Sequence, residues 1–209
     1  MRVDPPQLQR AIEQADRQTT ASSAAYRRSA VFALLVDREQ TIDRPKVRQG
    51  QTNLLLIRRA DRGDPWSNHI AFPGGHLAPT DADALEAAYR ETLEEVGIRP
   101  GAITNLGDLG HFETATEQVD LHVFVGLWDG AGPLRVNPVE VAQVIEAPLG
   151  WLLREHRRQG FAGRSIDELG DALVYPLADA TVWGVTARIM HYLLELIGTL
   201  TPLEARDLG

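Results

Sequence analysis

Hydrophobic residues gather along this chain in runs whose period switches between that of a strand and that of a helix. Residues 30–36 (AVFALLV) form an unbroken apolar run between polar stretches, the pattern of a strand buried on both faces. Residues 53–57 form a second such run, which delivers Arg58 and Arg59 at its end. Between the two, residues 37–51 are polar and contain Pro45 and Gly50, so they read as a loop; residues 19–29 read as a linker. A polar surface loop over 60–69 leads into a short strand at 70–72, and residues 103–109 predict another. Val119–Trp128 is a stronger strand, with Leu121, Val123, Val125 and Leu127 alternating against Asp120, His122, Phe124 and Gly126. Helical spacing predicts an amphipathic helix over 6–17, with Leu8, Ala11, Ile12 and Ala15 on one face behind Pro5. A last helix over 181–199 has Val182, Val185, Ile189, Leu193 and Leu196 as its stripe.

The stretch 72–98, FPGGHLAPTDADALEAAYRETLEEVGI, contains the helix around which the rest is organised. Thr80 or Asp81 is the expected cap, with Asp83 three residues after Thr80 in a capping-box-like position. Gly97 supplies a left-handed stop and Pro100 bars continuation. Leu85, Ala88, Tyr89, Thr92 and Val96 form the expected buried stripe. Glu91 and Glu95 stand one above the other on a shoulder of that stripe, with Glu94 beside them toward solvent. Such a cluster is unfavourable by itself. Like charges repel at this spacing and the C-terminal end of a helix disfavours anions, each effect costing roughly 0.3–1 kcal/mol. A divalent cation reverses both signs, and hard cations such as Mg²⁺ take oxygen ligands. Taken alone, the three glutamates also fit a solvated acidic face.

Composition narrows the classes. The 209 residues fit one domain with added elements: a helix and linker over 1–27, a domain over 28–200 and a tail over 201–209. With 44% hydrophobic residues the chain can bury a core. A net charge of −8 argues against a broad nucleic-acid-binding surface, so a polyanionic substrate would be met by metal and by local arginines. The absence of cysteine excludes disulfide and thiol chemistry and is compatible with the cytoplasm. The charged N-terminus lacks the apolar segment of a signal peptide, and no apolar run reaches membrane-spanning length. A soluble cytoplasmic protein with no membrane or nucleic-acid partner is expected.

The Gly74-Gly75 pair, the Arg90-Glu91 step and the ending Glu94-Glu95-Val96-Gly97-Ile98 are in register with one another. Together they resemble the Nudix box of the Nudix hydrolases: a glycine, a spacer, then RE-x-x-EE-x-G and an aliphatic residue. The spacing from Gly75 to Arg90 is one residue longer than in the commonest form, and Asp81 stands near the place of a missing spacer glutamate. With Phe72-Pro73, these features resemble the coenzyme A pyrophosphatase branch, although that branch usually has an Asp where Ala78 stands. The resemblance implies an α/β/α sandwich with a mixed sheet. It also implies hydrolysis of the diphosphate in a nucleoside diphosphate linked to another group, such as coenzyme A or a derivative. Mg²⁺ or Mn²⁺ would be held principally by Glu91 and Glu95, with Glu94 completing or bridging the site and the Gly74 carbonyl adding a ligand. Arg90 would be a salt-bridge partner that fixes the glutamates, and Arg58 or Arg59, with Gly75, would meet the substrate.

Residues 137–149 (NPVEVAQVIEAPL) resemble the family's EV-x-x-x-x-x-x-PL segment, a loop, a strand and a turn into a short helix. Glu140 there either reaches a metal or activates the attacking water, or it is an idle loop carboxylate. Trp66 and His69 either pack and cap their loop or touch substrate, and His122 either faces the site or is satisfied within the sheet. The basic run 154–164 is either a solvated loop or, through Arg154, Arg157, Arg158 or Arg164, a partner for an extra phosphate. The opening VWGVTARIM of the last helix resembles the W-G-x-T-A start found in coenzyme A pyrophosphatases. The alternatives weighed are ADP-ribose or dinucleotide substrates, and a non-catalytic Nudix-fold binding protein. Such binding proteins typically lose a metal-binding glutamate, whereas all three are present here. Isomerisation of a prenyl diphosphate would need the cysteine this chain lacks. The expected partners are a small nucleoside diphosphate derivative and, as an option, a second copy in a homodimer.

Overall fold

The computed structural model describes residues 1–19, 26–38, 51–114, 118–177 and 179–200. In chain order its elements are α1 (Pro5–Gln14), β1 (Arg27–Arg38), β2 (Gln51–Arg59), β3 (Ile70–Ala71), β4 (Gly74–His76), α2 (Ala84–Val96), β5 (Ile103–Glu113) and β6 (Val119–Trp128). They continue with β7 (Val141–Pro148), α3 (Leu149–Arg158), α4 (Ile166–Leu169), β8 (Tyr175–Leu177), β9 (Ala180–Val182) and α5 (Gly184–Leu200). β1 to β7 form one sheet of seven strands in the order β3-β2-β1-β6-β5, with β4 also on β1 and β7 also on β2. β1 and β6 run parallel, pairing Val31 with Val123 and Phe32 with Phe124, and the other pairings are antiparallel. The sheet is therefore mixed, as expected.

Why β1 is apolar throughout is now plain. Its side chains alternate between two cores, because a strand's period is two and both faces of this sheet are covered. Ala30, Phe32, Leu34 and Val36 pack with Ala84, Ala87, Ala88 and Val96 of α2. Val31, Ala33 and Leu35 face the opposite core, built with Leu8 and Ile12 of α1, Leu149 and Leu152 of α3, and Ile189, Leu193 and Ile197 of α5. The alternation in β6 works the same way: Val123 and Val125 enter the second core, Phe124 and Trp128 the first.

Helix α1 starts at Asp4, whose carboxylate accepts from the Gln7 amide at 2.9 Å, and Pro5 occupies the first turn, where its missing N–H costs nothing. Leu8 and Ile12 are buried, and Gln18 beyond the helix exchanges backbone bonds with Leu109 and His111 of β5. Of the linker expected over 19–29, Arg27, Arg28 and Ser29 belong to β1 and residues 20–25 lie outside the described residues. Of the loop at 37–51, Asp37, Arg38 and Gln51 are strand residues and 39–50 lie outside them, as does the tail at 201–209. The pattern did not anticipate the hairpin β8–β9, which takes Val182 out of the last helix. These strands have three residues each, too short for a period to declare itself. The basic run over 154–164 is not a loop throughout, since Arg154, Arg157 and Arg158 belong to α3. His122 lies within the sheet, 2.9 Å from Asp108 and stacked on His111 at 4.2 Å.

Where α3, β8 and α5 meet, two histidines are enclosed. Glu195 can only accept, so His156 donates from Nε2 (2.6 Å) and receives the Tyr175 hydroxyl at Nδ1 (2.8 Å). His191 donates from Nε2 to the Arg164 carbonyl at 2.9 Å. Burial, above all, holds both rings below the ordinary histidine pKa of 6.5. Below that pH the unfolded chain takes up protons that the folded chain resists, so this contribution to stability is whole above pH 6.5 and drains as pH falls through the depressed folded values. His191→Gln should therefore be destabilised less, relative to the natural chain, at pH 5 than at pH 7.5, as measured by denaturant unfolding. A gap that widened on acidification would contradict the assignment.

Candidate functional site

The site is assembled where the β3–β4 turn meets α2. Gly74 pairs with Val31 and Gly75 with Ala30 of β1. Gly74 sits at φ 146°, and a Cβ there would stand 2.3 Å from the Ala30 carbonyl oxygen. A Cβ on Gly75 would lie 2.5 Å from the Glu91 carboxyl carbon. Gly74 requires glycine for close strand approach, and a side chain at Gly75 would displace the Glu91 carboxylate. The cap of α2 is Asp83, not Thr80 or Asp81: its side chain accepts from the Glu86 amide at 2.8 Å. Gly97 ends the helix in the left-handed region, φ 78°, as expected. The buried face is rotated from the expected stripe. Ala84, Ala87, Ala88, Thr92, Glu95 and Val96 are buried, whereas Leu85 and Tyr89 are partly buried at its edge.

Glu95 is the unusual member, a carboxyl that is 3% exposed on the buried face. Its Oε2 accepts from the Gly74 amide at 2.9 Å. Burial pushes its pKa up to about 8; the Gly74 amide and Arg59 oppose the rise, and the charges of Glu91 and Glu140 add to it. Glu91 is raised for the same first reason, and Arg90 opposes. Glu94 is half exposed, does not line the cavity and pairs with Arg90 at 3.2 Å.

Arg90 gathers the surroundings. It grips Asp81 with two parallel bonds, Nε to Oδ1 at 2.9 Å and Nη2 to Oδ2 at 3.0 Å, and Nη2 also reaches the His76 carbonyl. Nη1 donates to Glu91 at 2.8 Å and to Glu94 at 3.2 Å. Asp81 in turn accepts from the Ala78 amide at 2.7 Å, and the Arg90 hydrogen bonds hold its carboxyl below the ordinary range. Arg90 thus ties Glu91 to the loop that carries the glycines.

Arg58 and Arg59 part company. Leu54 and Leu56 of β2 enter one core, Leu55 and Ile57 the other, so consecutive arginines must face opposite sides. Arg59 lines the cavity with Glu91 and Glu95, and among the described residues its Nε is covered without a hydrogen-bond partner. Arg58 pairs with Asp179 at 2.9 Å and does not line it. Glu140 does. The loop before it is sewn to the end of α2, because Arg135 and Asn137 donate their amides to the Val96 and Glu95 carbonyls, both at 2.9 Å. Those carbonyls have no partner within the helix, so capping them also delivers Glu140. The Ala60 amide donates to the Glu140 carbonyl at 2.8 Å, beside the bulge between Arg58 and Arg59.

The cavity measures about 320 Å³. Its far wall is aromatic: Trp66 meets His69 edge-on at 5.8 Å, and His69 meets Trp183 at 4.8 Å. Burial first, then the Arg59 charge, holds His69 below 6.5, so the ring is neutral at pH 7. Arg154, Arg157, Arg158 and Arg164 do not line the cavity, and Arg158 pairs with Glu155. Sequence reading missed Arg62, for which no motif gave a signal, and the grip of Asp81 on Arg90, for which the displaced spacer acid was the clue.

The donors here suit a hard cation. Among the described residues no three Asp, Glu, His or Cys side chains converge as a metal cage. Magnesium, however, is commonly held by one or two carboxylates and keeps several waters. Glu91 and Glu95 are donors of that kind, and the bare backbone of Gly75 packs against the Glu91 carboxylate so closely that a Cβ there would clash with it.

Comparison with known proteins agrees with this geometry. The model of the NUDIX domain matches residues 27–167. The uncharacterised Nudix hydrolase NudL of Escherichia coli is 36% identical over 157 residues, covering 74% of this chain and 80% of NudL. NudL of Shigella flexneri is 35% identical over 161 residues, 76% of this chain and 81% of that one. The Nudix hydrolase RenU of M. smegmatis shares the fold at 15% identity, with a TM-score of 0.54 over 85% of this chain and 89% of RenU. The chain belongs to the Nudix family and is a hydrolase acting on pyrophosphate bonds. No helix among the described residues is long and apolar enough to cross a membrane. Because Asp81 orients Arg90 without lining the cavity, Asp81→Ala should lower kcat roughly 10- to 100-fold with KM little changed. A steady-state assay returning natural kcat would remove Arg90 orientation from the list of requirements.

Proposed function

We propose that this protein is a divalent-metal-dependent pyrophosphohydrolase of nucleoside diphosphate derivatives, with coenzyme A or a derivative as substrate. The observation that carries the reading is the convergence of Glu91, Glu95 and Glu140 with Arg59 around one cavity floored by glycine backbone. Glu91, Glu95 and the Gly74 carbonyl would hold Mg²⁺ or Mn²⁺, with Glu94 joining them only after release from Arg90. When bound, the cation neutralises phosphate charge and acidifies water. Arg59 donates to a phosphate oxygen, and its uncommitted Nε makes that bond without breaking another. Glu140 accepts a proton from the attacking water, Arg90 keeps Glu91 in place, and the aromatic wall excludes bulk water. Water adds to one phosphorus, the bridging P–O bond breaks, and the leaving phosphate departs as a monoester. The longer glycine-to-Arg90 spacing, Phe72-Pro73 and Trp183-Gly184 support the coenzyme A assignment. The basic run at 154–164 does not, since it lies away from the cavity.

The test is a screen of coenzyme A, ADP-ribose, diadenosine polyphosphates and nucleoside triphosphates with Mg²⁺. Coenzyme A should yield 4′-phosphopantetheine and 3′,5′-ADP, and Glu95→Gln should cut the rate at least ~10²-fold while the circular dichroism spectrum is kept. Brisk cleavage of ADP-ribose with coenzyme A untouched would overturn the substrate, and full activity in Glu95→Gln would overturn the site. Separately, a cation that relieves the repulsion among Glu91, Glu95 and Glu140 must stabilise the fold. Metal at ~100 times its dissociation constant should add roughly 2.7 kcal/mol, seen as a higher Tm. Thermal melts unchanged at saturating Mg²⁺ and Mn²⁺ would count against metal binding here.

A further inference from the structure

We propose that a second cavity, sharing the aromatic wall of the first, holds the uncharged arm of the substrate, an amide-bearing chain with an apolar body. This rests on the diphosphate hydrolase reading above. At about 320 Å³ the carboxylate cavity is near the lower end for sites enclosing a drug-sized ligand, roughly 300–1,000 Å³. A diphosphate with a nucleoside on one side and a large group on the other has to run beyond it. A cavity of about 730 Å³ adjoins it, and Trp66, His69, Trp183 and Val185 line both.

Three features select the occupant. The first is charge: Glu113, Asp167 and Asp171 line the second cavity against Arg188, which donates to the Glu113 carbonyl at 3.0 Å. That field repels phosphate, so a second nucleotide with its phosphates does not belong there. The second is an unmet hydrogen bond. Among the described residues Glu113 Oε1 is covered and has no hydrogen-bond partner, and a buried acceptor in that state calls for an N–H or O–H donor. The third is the wall, where Ile166, Leu173 and Val185 add apolar surface and Trp183, 53% exposed, offers its ring. A neutral chain with N–H donors along an apolar body meets all three, and the pantetheine arm of coenzyme A is of this class. A bare sugar lacks the apolar body.

The experiment pairs binding with turnover. Pantetheine, which carries no phosphate, is titrated calorimetrically into the natural protein and into Asp171→Trp and Asp167→Trp, both at exposed positions of the lining. Natural protein should bind it, and each variant at least ~10-fold more weakly. In parallel, kcat/KM for coenzyme A divided by that for the methyl ester of ADP should fall at least ~10-fold in both variants, through KM. No pantetheine binding to the natural protein, or an unchanged ratio in two folded variants, overturns the proposal. Pantetheine binding that both variants weaken, in a protein that hydrolyses neither compound, upholds the cavity assignment and overturns the hydrolase reading.

Discussion

The hydrogen bond from the Gly74 amide to the buried Glu95 carboxyl is the contact on which the site depends. It joins the glycine turn to the helix across the sheet's edge, and it is the only hydrogen bond described for that carboxyl among the described residues. An ionised carboxyl at this depth is costly unless it is paired, which is why its pKa is pushed up to about 8. Stability alone would favour an apolar residue on this face of α2. The chain instead retains a carboxyl there, against the glycine turn and facing the cavity, a departure from good helix design.

Around that contact the remaining groups are positioned by ordinary structural needs. The carbonyls of Glu95 and Val96 need donors because the helix ends there, and the amides that satisfy them bring the Glu140 loop alongside. Arg90 needs acceptors, and Asp81, Glu91 and the His76 carbonyl surround it. Helix capping and charge pairing thereby hold two carboxylates and a loop acid around one cavity. On the other face of the sheet, α1, α3 and α5 bury the second core and bring Trp183, at the start of α5, over the cavity's aromatic side.

Charge is spread unevenly about the aromatic wall. Arg59 and Arg62 stand among Glu91, Glu95 and Glu140 on one side of the aromatic wall, while Glu113, Asp167 and Asp171 face Arg188 alone beyond it. An overall charge of −8 conceals this division, because the net figure says nothing of which sign faces which cavity. Neutral His69, held between two indoles, marks the boundary.

What the sequence by itself determined was local: strands from runs and alternation, α2 from its 3.6-residue period and left-handed Gly97, and the Glu91–Glu95 stack from helical spacing. Those features follow from a few neighbouring residues, so they survive without knowledge of the rest of the chain. Only the tertiary structure decided that Asp83 rather than Asp81 caps α2, since Asp81 was claimed by Arg90 nine positions away. It alone separated Arg59 from Arg58, because the face a strand residue takes depends on which core lies on which side. It also left Arg154, Arg157, Arg158 and Arg164 out of the cavity lining, since α3 turns Leu149 and Leu152 to the core while Arg158 reaches Glu155. The aromatic wall joins Trp66 and His69 to Trp183, a residue more than a hundred positions further along, and no periodicity records a contact that only packing creates.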